Sequence, residues 1–370
     1  MSAPSTSTVG TPPLIRGDAL TEVHGTIQRY IWRPDPWQYY TLALWIAHTH
    51  LIEAFDWSPV LHLTSPDGGY GKTQTLLLLA GLCRGGNYME KVSAASAKRL
   101  FHEANEKGVV YTALLDEVRG GDGEWEVLLD IGVRRGARFA SCVWEERAGD
   151  FTPKEYLVFG PKALGSIAGN GALTGTNESR AITLLYLEKG GQHIARSYPF
   201  DGSVPPDVAR LRDMLTALAT PELIAALRAH DTRLPPGRRN DTFRPLIAIG
   251  DLAGEPWRSR ARDLLERDGG EGRMSRNLQA LTDMVRVSEA MQPNELLPSK
   301  EAVARLLELE ESPWAEQRLS THSLARLMGH WGIKPQHTRQ GRGYAVAELR
   351  QKLAQQQERQ VSQVLPKCHA

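Results

Sequence analysis

The sequence is poor in cysteine. Its 370 residues include 3, Cys83, Cys142 and Cys368, far apart and without a C-x-x-C pair or a Cys/His ligand spacing. Neither a disulfide framework nor a zinc site of ordinary spacing is encoded, and a reducing, cytoplasmic setting is the expectation. Charge of one sign is also lacking. With 44 basic and 43 acidic side chains the net charge is +1, so the molecule as a whole offers no field to a nucleic acid or a membrane. Any such partner must be read by a local patch. Long apolar runs are missing too. Residues 40–51 and 76–83 are too short to cross a bilayer, and His48, Thr49 and His50 interrupt the first. Residues 1–13, rich in Ser, Thr and Pro, lack the basic-then-apolar order of a secretory signal and read as part of a disordered tail over 1–17.

What is present is ordinary globular material, 41% hydrophobic and 24% charged, in a chain long enough for two or three domains. Its most informative stretch is Ser65-Pro66-Asp67-Gly68-Gly69-Tyr70-Gly71-Lys72-Thr73, between the apolar run Val60-Leu61-His62-Leu63 and the apolar Leu76-Leu77-Leu78-Leu79. Strand, glycine-rich turn and helix in that order let backbone amides and a helix N-terminus converge on phosphate. In the pattern G-x-x-x-x-G-K-[ST], Lys72 would reach the β- and γ-phosphates of ATP, Thr73 would ligate Mg²⁺, and Gly68, Gly69 and Gly71 would supply the cradle. Pro66 replaces the first glycine and forces an extended entry, leaving flexibility to Gly68 and Gly69.

Helices are predicted over residues 19–31 and 37–55, the first amphipathic and the second apolar on most faces. His48 and His50, two apart, project to different faces of a helix and read as core or surface histidines rather than paired metal ligands. A helix over 94–105 precedes the apolar run Val109–Leu115, a strand buried on both faces of a parallel sheet, which ends in Asp116-Glu117. Acidic residues at the carboxyl end of such a strand face the ligand crevice of an open α/β sheet. There Asp116 would hold Mg²⁺ and Glu117 would orient and deprotonate a water, which points to hydrolysis. Further on come a helix over 124–133, strands over 139–144, 155–159 and 181–187, and the basic cluster Arg134, Arg135 and Arg138. That cluster reads either as a solvated turn or as a contact to DNA phosphates or to a neighbouring subunit's nucleotide.

The motif series Ser65-Pro66 to Gly71-Lys72-Thr73, Leu115-Asp116-Glu117, Arg134-Arg135-Gly136, Phe159-Gly160-Pro161-Lys162-Ala163 and Ser179-Arg180 resembles an uncharacterised P-loop ATPase family. Its members occur in phages and mobile elements and are often linked to primase-polymerase domains. The resemblance continues at Arg244-Pro245-Leu246-Ile247, Asp251-Leu252-Ala253-Gly254, Ser312-Pro313-Trp314 and Gly343-Tyr344. It implies an AAA+ helicase-like ring, a homo-oligomer such as a hexamer, with sites shared between subunits. Arg180 would then be an arginine finger, Arg244 a lid arginine that contacts the nucleotide, and Ser166 or Asn170 the polar sensor. A primase-polymerase would act in trans.

In the last third, helices are predicted over 208–229 and 243–266, with a glycine-rich hinge at 268–272. Two helices, the second capped by Ser320, and a hairpin with its tip at Gln340-Gly341-Arg342-Gly343 suggest a winged helix. No acidic residue lies between Glu316 and Glu348, while Arg326, Lys334, Arg339 and Arg342 do, which marks a local DNA-binding patch. The expected fold is α/β: a tail over 1–17, a helical lead-in over 18–58, a P-loop core over 59–188, a helical lid over 189–270, a winged helix over 271–360 and a tail over 361–370. The expected function is a DNA-dependent ATPase, a replicative helicase or translocase. The alternative is an ATP-dependent switch, such as a helicase loader, that binds DNA without unwinding it.

Overall fold

A computed structural model describes residues 15, 17–33, 35–65, 68–118, 123–146, 149–167, 173, 177–185, 193–269, 276–309, 314, 319–329, 331–338 and 341–364. By its contacts the chain divides into two units, Met1–Asp268 and Gly269–Ala370.

The first unit is mixed α/β. Helices α1 (Gly17–Tyr30) and α2 (Pro36–His50) lead into strand β1 (Val60–Ser65) and helix α3 (Lys72–Leu82). Strand β2 (Gly86–Glu90), helix α4 (Ala94–Glu106), strand β3 (Thr112–Asp116) and helix α5 (Gly123–Ile131) follow. A two-stranded hairpin, β4 (Arg138–Glu145) with β5 (Asp150–Leu157), precedes strands β6 (Lys162–Ile167) and β7 (Ala181–Leu185). Helices α6 (Pro206–Ala217), α7 (Pro221–Ala229), α8 (Arg238–Ala253) and α9 (Trp257–Gly269) complete the unit.

Five strands form one parallel sheet in the order β2-β3-β6-β1-β7. Every residue of β1 and β3 is buried, as their near-continuous apolar sequences require of strands covered on both faces. The alternation is visible side chain by side chain. Leu61, Leu63, Leu114, Ala163, Ile182 and Leu184 face a core built with α1–α3 and α6–α9. Val60, Ala113, Leu115, Leu164 and Ala181 face a second core built with α4, α5 and the hairpin. Helix α2 starts at Pro36, whose missing N–H costs nothing at a helix N-terminus, and buries Leu42, Leu44, Trp45 and Ile46 completely. Each such side chain contributes about 1.5–3 kcal/mol.

Three expectations are corrected. Strand β6, in the middle of the sheet, was not anticipated because Lys162, Gly165 and Ser166 break its apolar pattern. The helix expected over 208–229 is two: Thr220 caps α7 by accepting from Leu223 N at 3.2 Å, and Pro221 sets its first turn. The helix expected over 243–266 is also two, starting earlier at Arg238 and broken at Gly254, where φ is +74°.

In the second unit, helix α10 (Arg276–Val287), strand β8 (Leu296–Pro298), helix α11 (Ser299–Leu307) and helix α12 (Thr321–Gly329) precede the hairpin of β9 (Gln336–Thr338) and β10 (Gly341–Ala345) and the final helix α13 (Val346–Val364). The antiparallel sheet has the order β8-β10-β9. Its core gathers Leu281, Met284, Leu306, Leu324, Met328 and Tyr344 around Trp314, whose Nε1 donates to the buried Asp283 carboxylate at 2.7 Å. Ser320 caps α12: its Oγ accepts from Ser323 N at 3.2 Å, and Ser323 Oγ accepts from Ser320 N at 2.8 Å. Among the described residues, no helix is long and apolar enough to cross a membrane.

Candidate active site

Strands β1, β2, β3 and β6 end along one edge of the sheet. The register pairs Glu90 with Asp116 and Thr64 with Ser166, so Ser65, Asp116 and the end of β6 stand side by side there. The glycine loop leaves this edge from β1. Gly69 and Gly71 take left-handed backbone, φ +83° and +82°, which a side chain would strain, and Gly71 is the residue from which α3 starts. Gly68 lies in the loop, whereas Pro66 and Asp67 are outside the described residues. The buried Lys72 ammonium donates to Ser65 Oγ, so the lysine folds back over the mouth of the loop.

Asp116 is only 6% exposed. Thr73 Oγ1 donates to its Oδ2 at 2.5 Å, Tyr88 OH to the same oxygen at 3.2 Å, and Glu117 N to Oδ1 at 2.9 Å. All three donors are neutral, and no cation pairs with this carboxylate among the described residues. A buried carboxylate without counter-charge is costly, and such a group is tolerated where a cation completes it. Space is set for it too. A Cβ at Gly165 of β6 would lie 2.7 Å from Asp116 Oδ1, so only glycine lets β6 pass this carboxylate.

Glu117 stands beyond the strand end, exposed, with φ +55°, and its carboxylate meets Lys91 Nζ at 3.3 Å. Lys91, at the end of the neighbouring β2, also has positive φ, +50°. Two adjacent non-glycine residues in left-handed backbone are uncommon, and such strain gathers at functional sites. Tyr88 also donates to Glu90 at 2.8 Å, and burial together with the two carboxylates raises its pKa far above the ordinary phenol. Tyr88, Lys91 and Gly165 were not singled out from the sequence. The mixed polar strand Gly86–Glu90 carries no strong pattern, although its position ahead of Asp116 in a parallel sheet would have placed its end beside the site.

The remaining expected residues divide between the two edges. Ser166 is buried, with its Oγ 2.8 Å from His62 Nε2 on β1, while Asn170 lies outside the described residues. Arg180 precedes β7, whose Ala181 is in register with Val60 at the start of β1. It therefore sits at the opposite edge from the glycine loop, roughly 15–20 Å away along the strand. Its Nη1 pairs with Asp130 Oδ1 at 2.7 Å. Burial lowers its pKa, with Asp130 opposing and Arg238 and Arg134 adding to the fall. Arg134 bridges to Trp57 just before β1, and Arg238 Nη1 donates to Ser179 Oγ at 3.4 Å, so three arginines share this edge.

Arg244 is not brought to the loop of its own chain. Thr242, two residues earlier on α8, donates to Ser179 O at 3.1 Å, and Arg244 itself donates to Thr232 Oγ1 at 2.9 Å and pairs with Asp241. Arg135, still exposed, donates to the carbonyls of Ile52 and Phe55, lies 3.6 Å from Asp56 Oδ1 and packs 4.6 Å from the Phe159 ring centroid. Arg138 pairs with Glu155 on the exposed face of the β4–β5 hairpin at 2.8 Å.

His48 and His50 are core residues, each hydrogen-bonded. His48 Nε2 meets Ser58 Oγ at 3.0 Å, and His50 Nε2 meets Leu82 O at 2.8 Å with Nδ1 3.1 Å from Thr216 Oγ1. In the second unit Arg326 on α12, Lys334 ahead of β9 and Arg342 on β10 are exposed and have no acidic partner among the described residues. Arg342 belongs to the strand rather than the hairpin tip. Arg339 lies outside the described residues.

No curated protein matches the chain. One family model does, over residues 196–357, a span that runs from ahead of α6 into α13 and leaves the glycine loop outside it. Over these residues the chain is similar to a family described as a protein of unknown function, DUF3631.

Proposed function

We propose that the first unit is a P-loop NTPase of AAA+ type that hydrolyses ATP with Mg²⁺, and that the second is a winged helix that binds DNA. The chain is then a DNA-dependent ATPase, a replicative helicase or translocase of a phage or mobile element. The observation that carries this reading is the buried Asp116 carboxylate, paired with no cation among the described residues and facing Thr73 at the start of the helix that follows the glycine loop. One hydroxyl and one carboxylate suit Mg²⁺, which keeps waters and substrate phosphate oxygens as its other ligands. Thr73 and Asp116 would hold it, and its charge would offset that of the phosphates.

Lys72 exchanges Ser65 for the β- and γ-phosphates, and the amides of Gly69 to Gly71 receive the rest of the chain. Glu117 orients the attacking water and takes its proton. Arg180 and Arg134, on the far edge, reach no phosphate in their own loop and serve a neighbouring copy, which supports a homo-oligomer with shared sites. In the second unit, a capped helix followed by a hairpin, with uncompensated cations on both, supports the DNA reading.

The test is steady-state ATP hydrolysis and equilibrium ATP binding in two variants. Lys72→Ala should lose both. Glu117→Gln should keep binding while turnover falls about 10²–10⁴-fold. Wild-type turnover in Lys72→Ala would refute the assignment.

A further inference from the structure

Beside the glycine loop lies a small pocket of about 110 Å³, lined by Ile31, Trp32, Arg33, Gly69, Tyr70, Gly71, Gln74 and Ile194. Resting on the nucleotide reading above, we infer that this pocket receives the base of the nucleoside triphosphate, with Trp32 as its stacking wall. Three remote segments build it: the α1–α2 link, the glycine loop with the first turn of α3, and the stretch at 193–194 after β7. Each is fixed by polar contacts that do not depend on a ligand. Gln74 Nε2 donates to Tyr30 O at 3.0 Å, and Arg33 donates to Thr75 Oγ1 at 2.5 Å while its N–H meets Tyr39 OH at 2.6 Å. Arg196 N donates to Arg29 O at 2.9 Å, which holds the third segment against the end of α1.

The lining combines apolar groups with the polar side chains of Arg33 and Gln74. Ile31 and Ile194 are aliphatic, and Trp32 and Tyr70 offer planar rings. Trp32 is already stacked on His193, centroids 4.9 Å apart and planes 29° apart. The pocket shares Gly69, Tyr70 and Gly71 with the loop, so a ligand whose phosphates lie in the loop has its other end here. A flat heterocycle joined to a phosphate chain fits that combination, and inorganic polyphosphate uses only half of it. Ring stacking on Trp32 would be indifferent to base identity, because every base has a π-face.

The experiment compares dissociation constants for MgATP and for inorganic tripolyphosphate by titration calorimetry on the full chain. Wild type should bind MgATP more tightly than tripolyphosphate. Trp32→Ala should weaken MgATP roughly tenfold or more and leave tripolyphosphate unchanged, while Trp32→Phe keeps most of the affinity. Ile194→Ala, on a separate segment, should weaken MgATP alone by a smaller factor and serves if Trp32→Ala does not fold. Equal weakening of both ligands in these variants, or of neither, would overturn the pocket assignment while the phosphate loop stands. If wild type binds neither ligand, the nucleotide reading falls and takes this one with it.

Discussion

Asp116 is the residue on which stability and chemistry oppose each other. Its carboxylate is buried among neutral donors, which destabilises the fold and, under the proposed function, would suit it to a cation. Asp116→Asn should therefore raise the melting temperature of the nucleotide-free protein by about 2–4 °C and abolish the further rise that MgATP gives the wild type. Thermal melts with and without MgATP check both halves, and a lower melting temperature without ligand would contradict this view of the carboxylate. His48 and His50 set the acid limit. Burial, with Arg135 adding, pushes His48 down to about 3. Burial pulls His50 down to about 4, opposed by the Leu82 carbonyl. An unfolded histidine titrates near 6.5, so below that pH the unfolded chain takes up protons that the fold refuses. Stability should fall as pH drops from about 6.5 towards 4, and urea midpoints over that range should show it. His48→Gln should lessen the slope.

At the scale of elements, the strands that could be read were those whose chemistry is uniform. β1 with Val60, Leu61 and Leu63, and β3 with Ala113, Leu114 and Leu115, are apolar at most positions and lead into residues with evident chemistry, so Lys72, Thr73, Asp116 and Glu117 were legible as a group. β6 was not. It reaches the centre of the sheet by devices that no periodicity shows: Gly165 yields to Asp116, and Lys162 is fully buried with its ammonium donating to the carbonyls of Gly132, Val158 and Gly160 at 2.9, 3.0 and 2.9 Å. Burial pulls that lysine down to about 7. Gly132 becomes a neighbour only once the chain is folded, and the local carbonyls of Val158 and Gly160 leave no mark in the sequence, so a lysine there reads as a surface residue. The helix breaks at Thr220-Pro221 and Gly254 were visible as local signals and were overridden by the apolar runs around them. On α12 and β10 the cations themselves are testable. Replacing Arg326 and Arg342 together by alanine should weaken DNA binding uniformly across sequences and reduce the salt-dependence slope by about 2. Fluorescence anisotropy over a salt series measures it, and an unchanged slope would remove these residues from the interface.

At the scale of the molecule, the sheet separates two groups of residues that the proposed function joins in one reaction. The glycine loop, Asp116 and Glu117 gather at its carboxyl edge, and Arg134, Arg180 and Arg238 at its amino edge. The sequence could name Arg180 through its motif, but not that Asp130 holds it at 2.7 Å, because that pairing joins residues 50 positions apart across the fold. Under the proposed function, this arrangement would make activity a property of an assembly. The most direct test is the ATP hydrolysis rate per chain measured against protein concentration, with and without single-stranded DNA, for wild type and Arg180→Ala. The account predicts a wild-type rate that rises steeply with concentration and rises again with DNA, and an Arg180→Ala rate that stays low throughout. A rate per chain independent of concentration and indifferent to both DNA and Arg180 would contradict it.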